Sequence, residues 1–337
     1  MNNANQADHN IKQTDHTKEK IPLIVIAGPT ATGKTSLAIE LAERVGGEII
    51  SADSVQVYRY LDIGSAKPTA AEIKDIPHYM LDLVDPDVNF TVFDYQTIAR
   101  KHIWDIYKRG KQPILVGGTG LYIKALVDGY SFRSGKVEPA IRKQLQEELD
   151  SFGKEHLYRK LQEIDPERGA KLHINDTKRI IRALEYYYMT GEPISRQQEM
   201  TITGAGGSPA YRLLMIGLHM QREVLYDAIN HRVDLMLEKG LLHETENLMD
   251  KGFGGDLKAM QSLGYRHMSM YLQKKWEWDE AVSMLKQDTR KFAKRQMTWF
   301  QADKRINWFE IEPGREPQSQ PAFNEIIEKC LKFIGLQ

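Results

Sequence analysis

The sequence contains little cysteine and no excess of either charge. Cys330 is its one cysteine among 337 residues. A single thiol excludes an internal disulfide framework and a cysteine-rich zinc site, and it fits a reducing compartment. The 46 Lys and Arg residues are balanced by 46 Asp and Glu residues. No global field therefore attracts the chain to nucleic acid, and any basic binding surface must be local.

Long apolar runs are also missing. No stretch approaches the ~18 apolar residues that a membrane-spanning helix requires, so we expect no membrane partner. Residues 1–20 are polar and lack the apolar segment of a signal peptide, and we expect a disordered leader there. These features predict a cytoplasmic protein. Because no exposed apolar repeat is evident, we expect a monomer.

The sequence does contain an alternation of strand and helix patterns. Short apolar segments predict buried strands at 23–27, 48–51, 113–116, 212–220 and 305–311. Helical patterns with start or stop signals occur at 34–45, 91–109 and 222–239. Thr91, followed three residues later by Asp94, is a predicted helix N-cap. The alternation predicts an α/β fold, a P-loop NTPase-like parallel sheet with helices on both faces.

The middle of the chain has a different character. Residues 131–209 are charged, helical in pattern and without convincing strands, and they end in a Gly-rich linker at 201–209. We therefore predict an all-helical insertion domain at 131–209. The α/β core then comprises 21–130 and 210–315, and 316–337 forms a tail helix.

A phosphate-binding loop follows the first predicted strand. Residues 28–35 read GPTATGKT and match G-x-x-x-x-G-K-[ST] at every fixed position. Glycines let backbone N–H groups converge on phosphate oxygens, and the following helix adds the positive end of its dipole. Lys34 supplies a charge, and the Thr35 hydroxyl can ligate Mg²⁺. The predicted ligand-binding residues are Gly28, Thr30, Ala31, Thr32, Gly33, Lys34 and Thr35.

The usual partner of such a loop in ATP-using proteins is missing. A second strand normally ends in an Asp that holds Mg²⁺, but the strand at 113–116 is followed by Gly-Gly-Thr. Asp53 follows the strand at 48–51 instead, where ligands bind in open α/β sheets. On spacing alone Asp53 can serve magnesium, act as a base or cap a helix. The bound phosphate can belong to ATP or to another diphosphate.

Several blocks resemble the tRNA dimethylallyltransferase family, also called tRNA isopentenyltransferases. The resemblance covers roughly 22–309, and its blocks are far more specific than the P-loop alone. The blocks lie at 28–35, 51–58, 61–68, 77–78, 82–86, 117–122, 179–185, 263–266 and 294–300. Eukaryotic members carry a C-terminal zinc finger, so this chain resembles the shorter bacterial form.

The resemblance implies a reaction and assigns residues to it. The family transfers the dimethylallyl group from dimethylallyl diphosphate to N6 of the adenosine 3′-adjacent to a tRNA anticodon, and pyrophosphate leaves. By resemblance Asp53 is the base, Thr119 lies beside the adenine, and Arg232 reaches the pyrophosphate. The residues placed at the tRNA are Asp53, Ser54, Val55, Gln56, Thr119, Arg142, Lys178, Arg179, Ile180, Ile181, Arg182, Gln261, Gly264, Tyr265 and Arg266. Arg290 to Arg295 adds a basic stripe suited to a phosphate backbone.

Other interpretations remain at this stage. On charge alone the basic clusters are equally typical of solvated helix faces, and Arg232 of a helix-surface charge. A small-molecule P-loop kinase would use ATP, and an adenylate isopentenyltransferase would prenylate free nucleotides. A non-catalytic RNA-binding module would bind tRNA without turnover.

Overall fold

The computed structural model describes residues 20–130, 139–196 and 211–335. The predicted leader, apart from its last residue, and the predicted linker 201–209 lie outside the described residues. The strands are β1 (Ile21–Ala27), β2 (Gly47–Ser51), β3 (His78–Tyr79), β4 (Gln112–Gly117), β5 (Tyr211–His219) and β6 (Ile306–Glu310). The helices of the first half are α1 (Lys34–Val45), α2 (Ala70–Ile73), α3 (Val92–Lys108), α4 (Gly120–Val127), α5 (Pro139–Ile164), α6 (Pro166–Lys171) and α7 (Thr177–Thr190). Those of the second half are α8 (Arg222–Glu238), α9 (Leu241–Asp250), α10 (Tyr265–Leu272), α11 (Trp278–Gln301) and α12 (Phe323–Ile334).

The strands form one sheet in the order β3-β2-β4-β1-β5-β6. Every neighbouring pair is parallel. The central strand β1 pairs with β4 on one side and with β5 on the other. The predicted α/β fold with a parallel sheet is therefore confirmed. The two-residue strand β3 was not predicted, because so short a segment has no periodicity to recognise.

The two faces of the sheet pack into separate apolar layers. Side chains alternate along a strand, so Leu23 and Val25 face one layer and Ile24 and Ile26 face the other. Helices α3, α4, α10 and α11 contribute to the first layer. Helices α1 and α12 contribute to the second, where Phe323 and Ile327 are buried. Helices thus cover both faces, and the tail helix α12 is an integral part of the core.

The predicted N-cap of α3 is present as a complete capping box. The Thr91 hydroxyl accepts a hydrogen bond from the Asp94 N–H at 3.3 Å. The Asp94 carboxylate in turn accepts from the Thr91 N–H at 2.9 Å. Two otherwise unpaired N–H groups are satisfied in this way, and the start of α3 is fixed.

Helices α5, α6 and α7 form the helical part of the predicted insertion. Helix α5 is interrupted at Gly153, where φ is 79°. The helices enclose an apolar cluster that is separate from the two beside the sheet. Its fully buried or nearly buried members are Leu145, Leu157, Leu161, Leu172, Ile180, Ile181, Ala183 and Leu184. No helix in the described part of the chain is both long and apolar enough to cross a membrane.

Candidate active site

The predicted phosphate loop joins β1 to α1 at the carboxyl edge of the sheet. Ala31 and Gly33 have left-handed backbone conformations, with φ of 66° and 71°. This pattern is typical of the backbone nests that bind anions. The Thr32 hydroxyl donates to the Pro29 carbonyl at 2.9 Å and so closes the loop on itself. The loop therefore holds its backbone in an anion-binding conformation through its own hydrogen bond.

Lys34 is folded back onto this loop. Its Nζ donates to the Pro29 carbonyl at 2.6 Å. The pKa of Lys34 is lowered from 10.5 to about 7, mainly by burial and also by the nearby charge of Arg232, while the charge of Asp53 acts in the opposite direction. The charged form of Lys34 is thus disfavoured in this environment. A bound diphosphate would stabilise it, because an opposite charge nearby favours the ammonium.

Arg232 reaches the same place from helix α8. Burial lowers its pKa, while the charges of Asp53 and Glu72 raise it. Its charge acts on Lys34, and the charge of Asp53 acts on both cations. Arg232 therefore contributes to the electrostatic environment of the phosphate loop. A fully solvated charge on a helix surface would have no such effect. Two cations and one carboxylate converge at the ends of β1 and β2.

Asp53 follows β2 and organises a tight turn. Its Oδ1 accepts hydrogen bonds from the N–H groups of Val55 at 2.8 Å and Gln56 at 3.4 Å. The helix-cap interpretation is therefore wrong, because Asp53 caps a turn and no α-helix begins there. Neither bond uses Oδ2. Oδ1 therefore fixes the orientation of the carboxylate within the turn.

Thr119 lies against this turn from the end of β4. Its hydroxyl accepts from the Ser54 N–H at 3.0 Å, and its own N–H donates to the Ala52 carbonyl at 3.0 Å. The structure thus brings Asp53, Ser54 and Thr119 together, as the resemblance implied. Val55 is half-buried and packs against the main core.

Gln56 uses its amide inside the protein. Its Oε1 accepts from the Ser51 hydroxyl at 2.8 Å. Its Nε2 donates to the carbonyls of Ser65 at 3.3 Å and Ala66 at 3.2 Å. The side chain therefore ties the Asp53 turn to the loop at 61–66. An adenine contact by this amide stays a prediction.

The predicted RNA-binding residues of the insertion fall into two groups. Lys178 and Arg179 are exposed on α7. Arg142 and Arg182 both pair with the fully buried Glu185 carboxylate, at 2.9 Å and 3.1 Å, and present the rest of their guanidinium groups outward. Ile180 and Ile181, in contrast, are packed in the insertion's core. Their side chains face the core, so their placement at the RNA stays a prediction that rests on their position between basic residues.

The predicted strip at 261–266 is likewise mixed. Gln261 is exposed and donates to the Gly255 carbonyl, and Arg266 pairs with Asp288. The Tyr265 side chain is fully buried, and Gly264 is buried beside it. The placement of Tyr265 near the RNA therefore stays a prediction, and its side chain does not reach the surface. Its hydroxyl donates to the Glu244 carboxylate and accepts from the Gly64 N–H, which gives it a structural role.

The basic stripe on α11 is partly neutralised. Arg290 donates to the side-chain Oδ1 of Asn230 at 2.5 Å, and Lys291 lies 3.4 Å from the Asp288 carboxylate. Lys294 and Arg295 are exposed and line a cavity of about 750 Å³ between α4 and α11. The half-exposed Trp299 lines it too, beside Gly120. Cationic and aromatic side chains together suit a nucleic-acid strand.

Gln296 was not singled out from the sequence, yet it is the polar side chain that enters the site from α11. It is buried and contacts both the phosphate loop and the end of β4. A signal was present: the helical period places it on the same face as Ala293 and Phe300, which are buried. A glutamine on a buried face requires hydrogen-bond partners.

The described residues contain no group of three or more His, Cys, Asp or Glu side chains that is placed to hold a metal ion. Thr35, in the first turn of α1, is half-buried next to Lys34. A hydroxyl at this point of a phosphate loop suits a magnesium ion that is also held by phosphate oxygens. The residues present therefore fit a metal that arrives with a diphosphate.

Comparison with known proteins gives consistent matches. The model of the family described as IPP transferase matches residues 56–303. The tRNA dimethylallyltransferase of Geobacter metallireducens is 47% identical over 316 residues, 94% of this chain and 98% of that protein. The same enzyme from Thermoanaerobacter pseudethanolicus is 46% identical with the same coverage.

Two solved structures are also similar. One is the full-length tRNA isopentenylpyrophosphate transferase from Bacillus halodurans, with 40% identity, coverage of 94% and 96% of the two chains, and a TM-score of 0.66. The other is a eukaryotic dimethylallyltransferase acting on tRNA, with 28% identity, coverage of 94% and 80%, and a TM-score of 0.80. The sheet and its surrounding helices are thus shared with proteins that act on tRNA.

Proposed function

Because the chain belongs to the tRNA dimethylallyltransferase family and modifies tRNA by dimethylallyl transfer, we propose that its donor is dimethylallyl diphosphate and its acceptor is N6 of the adenosine 3′-adjacent to the anticodon. The observation that carries this proposal is the convergence of Asp53 with Lys34 and Arg232. It puts a base candidate beside an anion-binding loop. The phosphate of the loop is then the donor's diphosphate.

The anion-binding side supports departure of the leaving group. The bond between the prenyl C1 and the diphosphate oxygen breaks, and negative charge develops on the diphosphate. Lys34, Arg232 and the N–H groups at the start of α1 are fixed where that charge appears. Preorganised donors of this kind stabilise a transition state because they need no reorientation during the reaction.

The acceptor side supplies the base. The N6 amine is a weak nucleophile, since its lone pair is delocalised into the ring. As the N6–C1 bond forms, the Asp53 carboxylate accepts the N6 proton, a contribution typically worth ~10²–10⁴ in rate. The turn at 53–56 holds Oδ1 of Asp53. The Thr119 hydroxyl lies beside this turn, where it would orient the adenine.

Magnesium is the proposed metal. Thr35 would hold it, and when bound it supplies positive charge to the diphosphate. The chain's own contribution is to place the Thr35 hydroxyl at the positive end of α1, next to Lys34. No carboxylate of a second strand is needed if phosphate oxygens complete the coordination.

The tRNA must present its target base outside the stack. An adenine in a stacked anticodon loop is reached by flipping it out. Exposed cations support binding of the backbone at two places: Arg142, Lys178, Arg179 and Arg182 on the insertion, and Lys294 and Arg295 on α11. We also propose that the protein acts in the cytoplasm, where tRNA is available, and as a monomer.

The test is transfer of label from radiolabelled dimethylallyl diphosphate with Mg²⁺ present. Parallel reactions contain unmodified tRNA, a tRNA whose adenosine after the anticodon is replaced, and free AMP. We expect label in the first alone. Label in AMP would identify a free-nucleotide prenyltransferase instead. Label in the altered tRNA would disprove the proposed position.

A further inference from the structure

Gln296 joins the two halves of the candidate site. Its Oε1 accepts a hydrogen bond from the Thr30 N–H at 2.9 Å. Its Nε2 donates to the Gly118 carbonyl at 3.0 Å. Thr30 lies in the phosphate loop and Gly118 at the end of β4, so one side chain from α11 bridges loops that follow different strands.

The amide is the side-chain group that matches this gap. A backbone N–H can only donate and a carbonyl can only accept, so the bridge requires an acceptor and a donor on one planar group. The Gln296 side chain is 6% exposed, which leaves water little access to replace either bond. Loss of the amide would leave both backbone groups short of a partner.

The fit is tight on the β4 side. A Cβ atom at position 118 would lie 2.2 Å from Nε2 of Gln296, so any larger residue there would require the amide to move from this position. Glycine at 118 therefore lets the amide reach the carbonyl. On the other side, Ala293 and Phe300 of α11 are buried and fix the helix from which Gln296 projects.

The bridged segments carry opposite parts of the chemistry. Thr30 precedes Lys34 and Thr35, which face the diphosphate. Gly118 precedes Thr119, whose hydroxyl holds the backbone of Ser54 beside Asp53. We propose that Gln296 is a positioning residue. It sets the distance between the diphosphate leaving group at the phosphate loop and the adenine beside Asp53 and Thr119. This inference rests on the proposed function for what the two segments bind.

Such a role predicts a loss in turnover rather than in binding. Transfer between two bound substrates is sensitive to their spacing, and a misplacement of ~1 Å can cost about 10²-fold. In Gln296→Met, which keeps the length and removes both hydrogen bonds, we expect kcat to fall roughly 10- to 10²-fold. The KM values for donor and tRNA should change less than about threefold.

Gln296→Glu provides a conditional rescue. Its carboxylate can accept from Thr30 but repels the Gly118 carbonyl. When protonated, the same group donates to that carbonyl. We therefore expect the activity of Gln296→Glu relative to wild type to rise as pH falls from 8 to 6, whereas the relative activity of Gln296→Met stays flat.

Gln112 is the matched control. It is also buried, and its Nε2 donates to the carbonyls of Pro22 and Pro113, both at 2.9 Å, at the amino edge of the sheet. Gln112→Met should destabilise the protein comparably and leave kcat unchanged. Equal losses of kcat in Gln112→Met and Gln296→Met, or a wild-type kcat in Gln296→Met, would overturn the proposal. A raised donor KM with unchanged kcat would overturn it as well.

Hydrogen–deuterium exchange separates this proposal from the proposed function. In Gln296→Met we expect faster exchange in peptides covering 28–36 and 117–120, and no change there in Gln112→Met. Unchanged exchange in both peptides would refute the bridge, whatever reaction the enzyme performs. If wild type transfers no label to tRNA, the proposed function fails, and the exchange result alone decides whether Gln296 holds the loops together.

Discussion

Tyr265 donates a hydrogen bond of 2.5 Å to the Glu244 carboxylate, deep under the loop at 61–66. The Tyr265 hydroxyl accepts in turn from the Gly64 N–H at 3.1 Å. Burial, and then the charge of Glu244, raise the pKa of Tyr265 well above its usual range, so the phenol stays protonated. A Cβ atom at position 64 would lie 2.5 Å from the Tyr265 ring, which explains the glycine.

Glu244 also accepts hydrogen bonds from several backbone N–H groups of that loop. Its carboxylate accepts from the N–H groups of Asp62 at 3.2 Å, Ile63 at 2.9 Å and Gly64 at 3.2 Å. We expect Glu244→Ala to lower the free energy of unfolding by roughly 1–3 kcal/mol, because partly buried donors lose their acceptor. Urea denaturation measures this. Glu246→Ala, an exposed site on the same helix, should change stability by less than ~0.5 kcal/mol; a similar loss there would contradict the assignment.

Asp53 can be tested without disturbing its turn. In Asp53→Asn the amide oxygen still accepts from the N–H groups of Val55 and Gln56, so the turn is kept while the base is removed. We expect single-turnover rates to fall about 10²–10⁴-fold with tRNA affinity retained. Rapid-quench measurement with labelled donor checks this. A near-normal rate would exclude Asp53 as the base.

Donor binding should depend on the protonation of Lys34. Its pKa of about 7 means that the free enzyme carries a neutral amine above that pH. A bound diphosphate favours the charged form and raises the pKa, so binding takes up a proton above pH 7. The affinity for the donor is then highest and independent of pH below about pH 7, and it falls roughly tenfold per pH unit above pH 7.

Calorimetry in buffers of different ionisation enthalpy measures that proton uptake directly. At pH 8 we expect close to one proton taken up per donor bound. Lys34→Arg, which stays charged at every pH used, is the control and should show none of this uptake. Equal uptake in the two proteins would show that the proton goes to a group other than Lys34.

Thr35 tests the proposed magnesium. Thr35→Val keeps the shape and removes the hydroxyl, and Thr35→Ser keeps the hydroxyl. We expect Thr35→Val to lose on the order of 10²-fold in kcat and to require more Mg²⁺ for half-maximal activity, since the metal stabilises developing charge by several kcal/mol. Thr35→Ser should stay within about threefold of wild type. Equal Mg²⁺ dependence in all three would show that Thr35 holds no metal.

Arg182 tests the insertion as an RNA-binding surface. Arg182→Ala leaves Arg142 to pair with the buried Glu185, so the helix pair stays folded. We expect a several-fold weaker Kd for tRNA and a slope of log K against log salt that is smaller by about one. Lys171→Ala is the control, because Lys171 is also exposed but pairs with the exposed Glu167 on α6. An unchanged salt slope in Arg182→Ala would remove this residue from the interface.

Local signals in the sequence were sufficient to predict the fold class and five of the six strands that the structure describes. Strand segments such as 23–27 are apolar throughout because both faces of a parallel sheet are covered. The capping box at Thr91 is a pattern within four residues, so it was predicted in full. The phosphate loop is equally local. The two-residue strand β3 carries no such pattern and was found in the structure alone.

Long-range contacts explain what sequence reasoning missed. Gln296 bridges segments 266 and 178 residues away, and no periodicity identifies partners at that separation. Blocks shared with a family also mix surface and core positions. Ile180 and Tyr265 stand next to basic residues in the sequence, and only the structure shows that their own side chains pack in the interior.

Because the insertion has its own apolar core, its sequence can change without disturbing the packing around the sheet. Leu145, Leu157 and Leu184 pack within its own helices and contribute nothing to the layers beside the sheet. Substitutions that reshape its outer face therefore need no compensating change around Asp53 or Lys34. In such an architecture the RNA-binding specificity can evolve while the residues of the prenyl-transfer reaction stay the same.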